Sequence, residues 1–283
     1  MQSTETLKSL VHDTYSQTAR SLPGASSAEL EHFKRISSAF GYTEGDLELI
    51  QGANMGLGCG NPVATANIRP GEVIVDLGCG GGMDVMLASV KTGDSGKVYG
   101  VDMSEDMLAL AKKNVQARNL TNVELVHSSI NTLPISSNTV DCIISNCVLN
   151  LVAGDEKRAT LLEAYRILKP GGRLAISDIV EKKSMPEEIK QDATSYVGCV
   201  AGAISVALYH QYLAEAGFQD ILILDTKSDL SVYQQSATQS SKASCSSCCS
   251  SDPARGGINP ALKYDINEFV GSSTIYALKP QSV

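Results

Sequence analysis

At 283 residues, 43% hydrophobic and 19% charged, the chain can build one large α/β domain, or one domain with a small appendage. A net charge of −8 and a pI near 5.1 speak against a nucleic-acid substrate, whose phosphates favour a basic face, and no basic cluster is longer than Lys182-Lys183. Apolar runs are too short for a membrane span, and tryptophan is absent, so no aromatic cage or base-stacking platform stands out.

The first residues, Met1 to Leu10, lack a basic stretch followed by an apolar one, so no signal peptide is expected and the cytosol is the expected compartment. In that compartment the eight cysteines read as free thiols, ligands or redox residues rather than a static disulfide framework.

In chain order, residues 4–20 and 27–40 read as helices, with shorter helices near 45–51 and 62–67 around a glycine-rich loop at 52–62. Val73-Ile-Val-Asp-Leu77 reads as a buried parallel strand, followed by a turn over Gly78 to Gly82 and a helix at 83–91. Lys97-Val-Tyr-Gly-Val-Asp102 is a second strand, and a helix at 104–118 opens on Ser104 with Glu105 and Asp106 in its first turn. Further strands fall at 123–126, 140–145 and 173–180, with a helix at 155–168 stopped by Lys169-Pro-Gly-Gly172. Residues 186–217 read as mostly helical. Strands at 221–225 and 273–278 are expected to pair as an antiparallel edge hairpin, with a Ser-, Gly- and Cys-rich insert between them. Strands alternating with helices predict a Rossmann-like, doubly wound parallel sheet with a small helical appendage. The expected division is 1–68 as an N-terminal helical segment, 69–180 as the sheet domain, 181–225 as the appendage with an edge strand, 226–263 as a flexible insert and 264–283 as a terminal edge strand.

Asp76-Leu-Gly-Cys-Gly-Gly-Gly82 follows a strand and precedes a helix, a place where glycines let backbone approach a ligand. Asp102 ends the next strand, which suits a carboxylate bridging two ribose hydroxyls. The spacing Asp-x-Gly-x-Gly-x-Gly differs from the hydride-transfer fingerprint. It resembles motif I of the class I S-adenosylmethionine (SAM) methyltransferases, and Arg166-Ile-Leu-Lys-Pro-Gly-Gly172 resembles another of their motifs, over about residues 70–225. That resemblance implies SAM as methyl donor. Asp76, Gly78, Gly80 and Gly82 would line its methionine part, Asp102 its ribose, and Met103, Ile130 and Asn131 its adenine, with Asn146 near the sulfonium. Cys79 belongs to a common variant of the motif and reads as structural, and Cys142, inside an apolar strand, reads as core. Tyr15 sits where the superfamily's N-terminal segment folds over SAM.

Within that superfamily the frames Gln51 to Pro62, Ile144 to Leu151, Arg173 to Val180 and Tyr196 to Gly202 resemble the arsenite methyltransferases. By that resemblance Cys59, Cys147 and Cys199 would hold trivalent arsenic, with arsenite and methylarsenite as substrates and thioredoxin or glutathione as thiol reductant. Soft thiolates suit a thiophilic metalloid. They must lose protons, either through lowered thiol pKa values or on metalloid binding. The arsenic lone pair can take the methyl directly, so no general base is needed. The family's frequent fourth cysteine near the N-terminus is absent before Cys59, which leaves open which thiols oxidise. Cys245, Cys248 and Cys249 read either as an arsenic-capture cluster or as a tolerant low-complexity insert. A monomer is expected. Two rivals remain: a methyltransferase for a small organic carbon or oxygen acceptor, and a non-catalytic metalloid-binding protein. The scattered histidines group nowhere as ligands, and no paired Cys-x-x-Cys motifs suggest structural zinc.

Overall fold

The computed structural model describes residues 3–154, 156–233 and 264–281. Four helices precede the sheet: α1 (Thr4–Ser21), α2 (Ser27–Ala39), α3 (Glu44–Leu49) and α4 (Pro62–Thr65). Ser26 and Thr43 close capping boxes with Glu29 and Asp46, which fixes the starts of α2 and α3. The alternating section then runs β1 (Val73–Leu77), α5 (Met83–Thr92), β2 (Lys97–Asp102), α6 (Glu105–Ala117), β3 (Val123–His127), β4 (Val140–Asn146), α7 (Glu156–Ile167) and β5 (Leu168–Glu181). It continues through α8 (Glu187–Lys190), α9 (Ala193–Val197), α10 (Val206–Ala216), β6 (Gln219–Asp225) and β7 (Val270–Leu278).

The strands form one seven-stranded sheet in the order β3-β2-β1-β4-β5-β7-β6. The first five are parallel, as expected, and the strand order reverses between β1 and β4. Leu77 lies opposite Ser145, so the loop after β1 and the residues after β4 open side by side at the sheet's carboxyl edge. That reversal is where open α/β sheets bind ligands.

Two differences from the sequence reading concern the end of the chain. β6 and β7 do pair antiparallel, but β7 is not an edge strand: it is inserted between β5 and β6. Its burial explains why. Val270 to Ser273 are continuously buried, as suits a strand flanked on both sides, whereas β6 leaves Leu222 and Leu224 about half exposed. Second, residues 226–233 are packed rather than loose: Leu230 is buried, and its amide donates to Asn267 at 2.9 Å.

Alternate residues of the strands supply two cores, one on each face. Val75, Leu77, Ile143 and Ile176 pack with Leu161 of α7 and Tyr209 and Leu213 of α10. Ile74, Cys142, Ile144 and Ala175 pack with Ile50, Val85 and Met86. Cys142 is thus core, as read from its apolar strand, and burial pushes its thiol up to about 12. A third cluster gathers Cys59, Cys147 and Cys199 with Phe40, Ile179, Met185, Leu230 and Val270.

The entry to β1 is tied to β5 by a nearly buried ion pair. Arg173 donates to both Glu72 oxygens, at 2.6 and 2.8 Å, and to the Ala66 and Asn67 carbonyls. Its side chain is only 10% exposed. Removing one partner strands the other charge, so Arg173→Ala is expected to lower stability by about 3–5 kcal/mol. A urea-unfolding midpoint close to that of the parent would contradict this.

Candidate functional site

A cleft opens at the sheet's carboxyl edge, floored by the loop between β1 and α5. Asp76, Gly78, Gly80, Asp102, Met103, Ile130, Asn131 and Asn146, all named from the sequence, line it together with Tyr15, Met55, Asp84 and Cys147. Gly82 does not line the cleft. It caps α5 and packs on Ala111, while Gly81 takes the place on the wall. Gly78 has φ +72°, and a Cβ there would lie 2.5 Å from a Val148 methyl, so only glycine fits without strain. Asp102, at the end of β2, accepts the Gly80 amide on one oxygen and the Ser104 amide on the other, each at 2.9 Å. These bonds hold the glycine loop and the start of α6 to one carboxylate. Cys79 is buried, and burial together with Asp102 and Asp76 raises its thiol well above the usual range, consistent with a structural residue.

Three carboxylates converge on the cleft wall. Burial, then Asp84 and Asp102, pushes the Asp76 carboxyl well above its usual range. Burial raises Asp84 to about 6 and raises Asp102 as well. No lysine or arginine is ion-paired to any of them among the described residues. This donor set is therefore short of positive charge, and a cationic ligand would relieve it.

At the inner end of the cleft lies the thiol cluster. Cys59 and Cys147 are joined as a disulfide, with Cα atoms 5.7 Å apart, inside the range that such a bond spans. Cys199 is a buried free thiol, and its Sγ donates to the Cys147 carbonyl at 2.8 Å. The three cysteines thus converge, with two of them in the oxidised state. Cys199 lies in the loop after α9 rather than on a helix of the appendage. Its thiol is not acidified: burial, then Asp178, pushes it well above the ordinary range.

Cys147 and Cys199 both have left-handed backbones, with φ of 60° and 63°. Such angles are uncommon for residues other than glycine and persist where the surroundings over-determine them. Here the Cys147 amide donates to the Ser177 carbonyl at 2.8 Å, and the Cys199 amide to Tyr196 at 2.9 Å. The frame around Cys59 is equally constrained. A Cβ at Gly60 would lie 2.5 Å from that of Ser177, and the Cys59 carbonyl accepts the Ser272 hydroxyl.

A methyltransferase domain family model matches residues 68–217. The chain belongs to the methyltransferase domain family. Its sheet and helices form the class I SAM-dependent methyltransferase fold. An arsenite methyltransferase of Halobacterium salinarum is 41% identical over 215 residues, covering 71% of this chain and 54% of that protein. The arsenite methyltransferase of Mus musculus is 37% identical over 158 residues, covering 52% of this chain and 40% of that one. This methyltransferase therefore spans about half the length of the curated relatives it matches. Among solved structures, the arsenic(III) SAM methyltransferase of Chlamydomonas reinhardtii superposes with a TM-score of 0.60 at 25% identity, covering 87% of this chain and 73% of that one. A phosphoethanolamine N-methyltransferase of Haemonchus contortus, solved with SAM, has a TM-score of 0.63 at 20% identity, covering 87% of this chain and 57% of that one, a likeness of fold.

Tyr42, Asp84, Lys157 and Asp178 of this methyltransferase's site were not read from its sequence, whereas Asn146 and Tyr15 were. Asn146 is the hinge between cleft and thiols: its Oδ1 accepts the Cys59 amide at 3.1 Å, while its Nδ2 donates to Asp84, the Tyr42 hydroxyl and the Gly60 carbonyl. Tyr42 in turn donates to Asp84 at 2.7 Å. Behind the cysteines lies Asp178, fully buried, with a carboxylate oxygen and the sulfurs of Cys59 and Cys147 all within 4.8 Å of one another. Burial raises Asp178 to about 7. Lys157, also buried, donates to the Leu149 and Val152 carbonyls, and burial lowers it to about 8. The legible signal for Asp178 was an acidic residue inside the apolar run Leu174 to Val180. Lys157, in the charged stretch Glu156-Lys-Arg158, gave none. Tyr15 reaches across from α1, its hydroxyl donating to Val197 at 3.2 Å beside the Cys199 thiol. Cys245, Cys248 and Cys249 lie outside the described residues.

Proposed function

We propose that this chain transfers methyl groups from SAM to trivalent arsenic held by the thiolates of Cys59, Cys147 and Cys199. One observation carries the reading: the cleft bearing Asp76, Asp102 and Asn131 ends on Cys147, which is bonded to Cys59 and accepts the Cys199 thiol. Arsenite and methylarsenite are the proposed substrates, and detoxification the proposed role. The similarity to arsenite methyltransferases supports this choice over an organic acceptor.

The donor set of the cleft fits SAM. Bound there, SAM supplies an electrophilic methyl on a cationic sulfur. Asp102 can offer its remaining lone pairs to ribose hydroxyls, Met103 and Ile130 can cover an adenine face, and Asp76 and Asp84 can answer the positive charge of the methionine end. Asn146 fixes the Cys59 loop against that end, so donor and acceptor approach at a set separation. The thiolates present the metalloid's lone pair towards the cleft through Cys147, the cysteine that lines it.

The disulfide has to open first. Two electrons and two protons from a dithiol or two monothiols convert Cys59–Cys147 to the thiols that exchange onto arsenic. Thioredoxin or glutathione is the proposed reductant, the cytosol the proposed compartment, and a monomer the proposed working unit. The test is a turnover assay with SAM, arsenite and a thiol reductant, followed by chromatography with elemental detection of arsenic. Methylated arsenic in the presence of reductant, and none without it, is the expected result. SAM binding without any methylated arsenic would send the search to organic acceptors.

The carboxylates add a pH dependence. SAM binds the ionised form of Asp84, whose carboxyl is raised to about 6, so below that pH a proton must leave before binding. Affinity is expected to weaken by about tenfold or more between pH 7 and pH 5, because the Asp76 and Asp102 carboxyls are raised as well. Calorimetric titration between pH 5 and 8 would show the slope. A flat profile would remove Asp84 from the cofactor's surroundings.

A further inference from the structure

Asp178 lies on β5, fully buried, yet among the described residues it forms no ion pair. Its carboxylate accepts the Ile179 amide at 2.9 Å and the Tyr209 hydroxyl at 3.4 Å, both neutral donors. Lys157 is the nearby cation, but its ammonium is turned to the Leu149 and Val152 carbonyls. The carboxylate instead faces sulfur: one oxygen lies within 4.8 Å of the sulfurs of both Cys59 and Cys147, and Cys199 is close enough to feel its charge. An anion beside three groups that become thiolates is a poor arrangement for holding those thiolates alone. It becomes a good one once a cation sits among them.

Building on the arsenic reading, we propose that the Asp178 carboxylate is the counter-charge for the positive arsenic centre that forms as the methyl arrives. In that step the carbon–sulfur bond of the sulfonium breaks and its electron pair stays on sulfur, leaving a neutral thioether. The arsenic lone pair forms the new arsenic–carbon bond. No proton moves, and the formal positive charge passes from sulfur to arsenic. Before the step, arsenic bound to three thiolates is neutral, and Asp178 feels only the Lys157 ammonium, which is bonded to backbone carbonyls instead. After it, the carboxylate lies beside the cation.

The placement makes this interaction differential. Asp76, Asp84 and Asp102 line the cleft where the sulfonium charge starts, whereas Asp178 does not line the cleft and lies on the thiol side of it. The charge therefore moves away from one set of carboxylates and towards another. An interaction that strengthens only as the transition state forms raises kcat rather than tightening substrate binding. Because the site is buried, the field is set in advance and little reorganisation is needed.

The experiment compares the full chain with Asp178→Asn, which keeps shape and hydrogen-bonding capacity. Arsenite binding is read by equilibrium dialysis with elemental detection, SAM binding by calorimetry, and the first methyl transfer by single turnover on fully reduced protein. Expected are SAM and arsenite affinities within about threefold of the parent and a transfer rate lower by about 100-fold, the scale of losing one preorganised charge-stabilising group. Loss of arsenite affinity with an unchanged transfer rate for the bound fraction would overturn the proposal, making Asp178 a ligand or a proton acceptor for the thiols. So would a transfer rate equal to the parent's. Should Asp178→Asn not fold, Asp178→Glu carries the test, with the same charge displaced by one methylene. A smaller fall in transfer rate at unchanged arsenite affinity is expected there, and weaker arsenite binding with parental transfer overturns the proposal equally. A parent that methylates no arsenic at all is a different failure, that of the substrate reading.

Discussion

Serine in place of Cys147 is expected to end arsenic methylation while leaving SAM binding close to that of the parent. The thiol is both a proposed metalloid ligand and, of the three, the only one that lines the cleft, so it is the proposed ligand nearest the methyl donor. Serine keeps the size and the left-handed backbone at φ 60°, and the amide bond to Ser177 is untouched, so the loop should hold its shape. What changes is the donor. A serine hydroxyl remains protonated at neutral pH and is a hard ligand that a thiophilic centre does not select. Even residues one shell removed from a metal cost 10–100-fold when mutated, so losing a direct ligand is expected to cost more than about 100-fold in turnover. The substitution also abolishes the Cys59–Cys147 disulfide and frees Cys59, leaving two thiols of the cluster. Thiol titration of the unreduced variant should therefore gain one reactive group over the parent. Turnover within tenfold of the parent would mean that Cys147 is not a ligand. It would revive a methyltransferase acting on an organic acceptor, whose chemistry does not pass through this sulfur.

How much of this was legible beforehand follows from how local each feature is. Val73 to Leu77, with its glycine turn and the aspartate ending the next strand, is a contiguous pattern whose meaning does not depend on distant contacts, and the residues read from it, Gly82 apart, line one cleft. The order of the last strands depends on distant contacts. Both β6 and β7 read as strands, but only the nine-position pairing of β7 with β5 decides which of them lies at the edge. The disulfide is similarly non-local, since its partners are 88 residues apart and nothing in either frame names the other. Tyr42 and Lys157 show the limit most plainly. Both look like ordinary surface-helix or loop residues in sequence, and both are buried in the fold, Tyr42 bonded to the distant Asp84 and Asn146, and Lys157 turned back onto carbonyls five and eight residues before it. Asp178 lay between these cases, visible as an acidic residue in an apolar strand but without a partner until the cysteine loops were in place.

Asp102→Asn is expected to weaken SAM binding by about 100-fold and, in the same protein, to leave the unliganded fold as stable as the parent or more so. The two effects have one origin. Asp102 is half-buried with its charge acting on Asp76, so it is uncomfortable until a cation arrives, as its raised carboxyl shows. The amides of Gly80 and Ser104, with the Met103 amide and His127, offset it in part. Asparagine keeps one acceptor and removes the charge, which relieves Asp76 at once. The ligand pays for that relief. A charged hydrogen bond contributes about 1.5–3 kcal/mol, and two ribose hydroxyls would share this carboxylate, so replacing it with a single neutral acceptor removes about 3 kcal/mol of affinity. The amide's NH2 group also faces a position where acceptors are needed, and it competes with the Gly80 amide that holds the glycine loop. Calorimetry with SAM and urea unfolding on the same preparation separate the two sides. An affinity within threefold of the parent would mean that the ribose is held elsewhere. A strong fall in unfolding midpoint would mean that Asp102 serves the loop more than the ligand. Sites built to bind charge commonly give up stability in this way, because the groups that await a cation repel one another until it arrives.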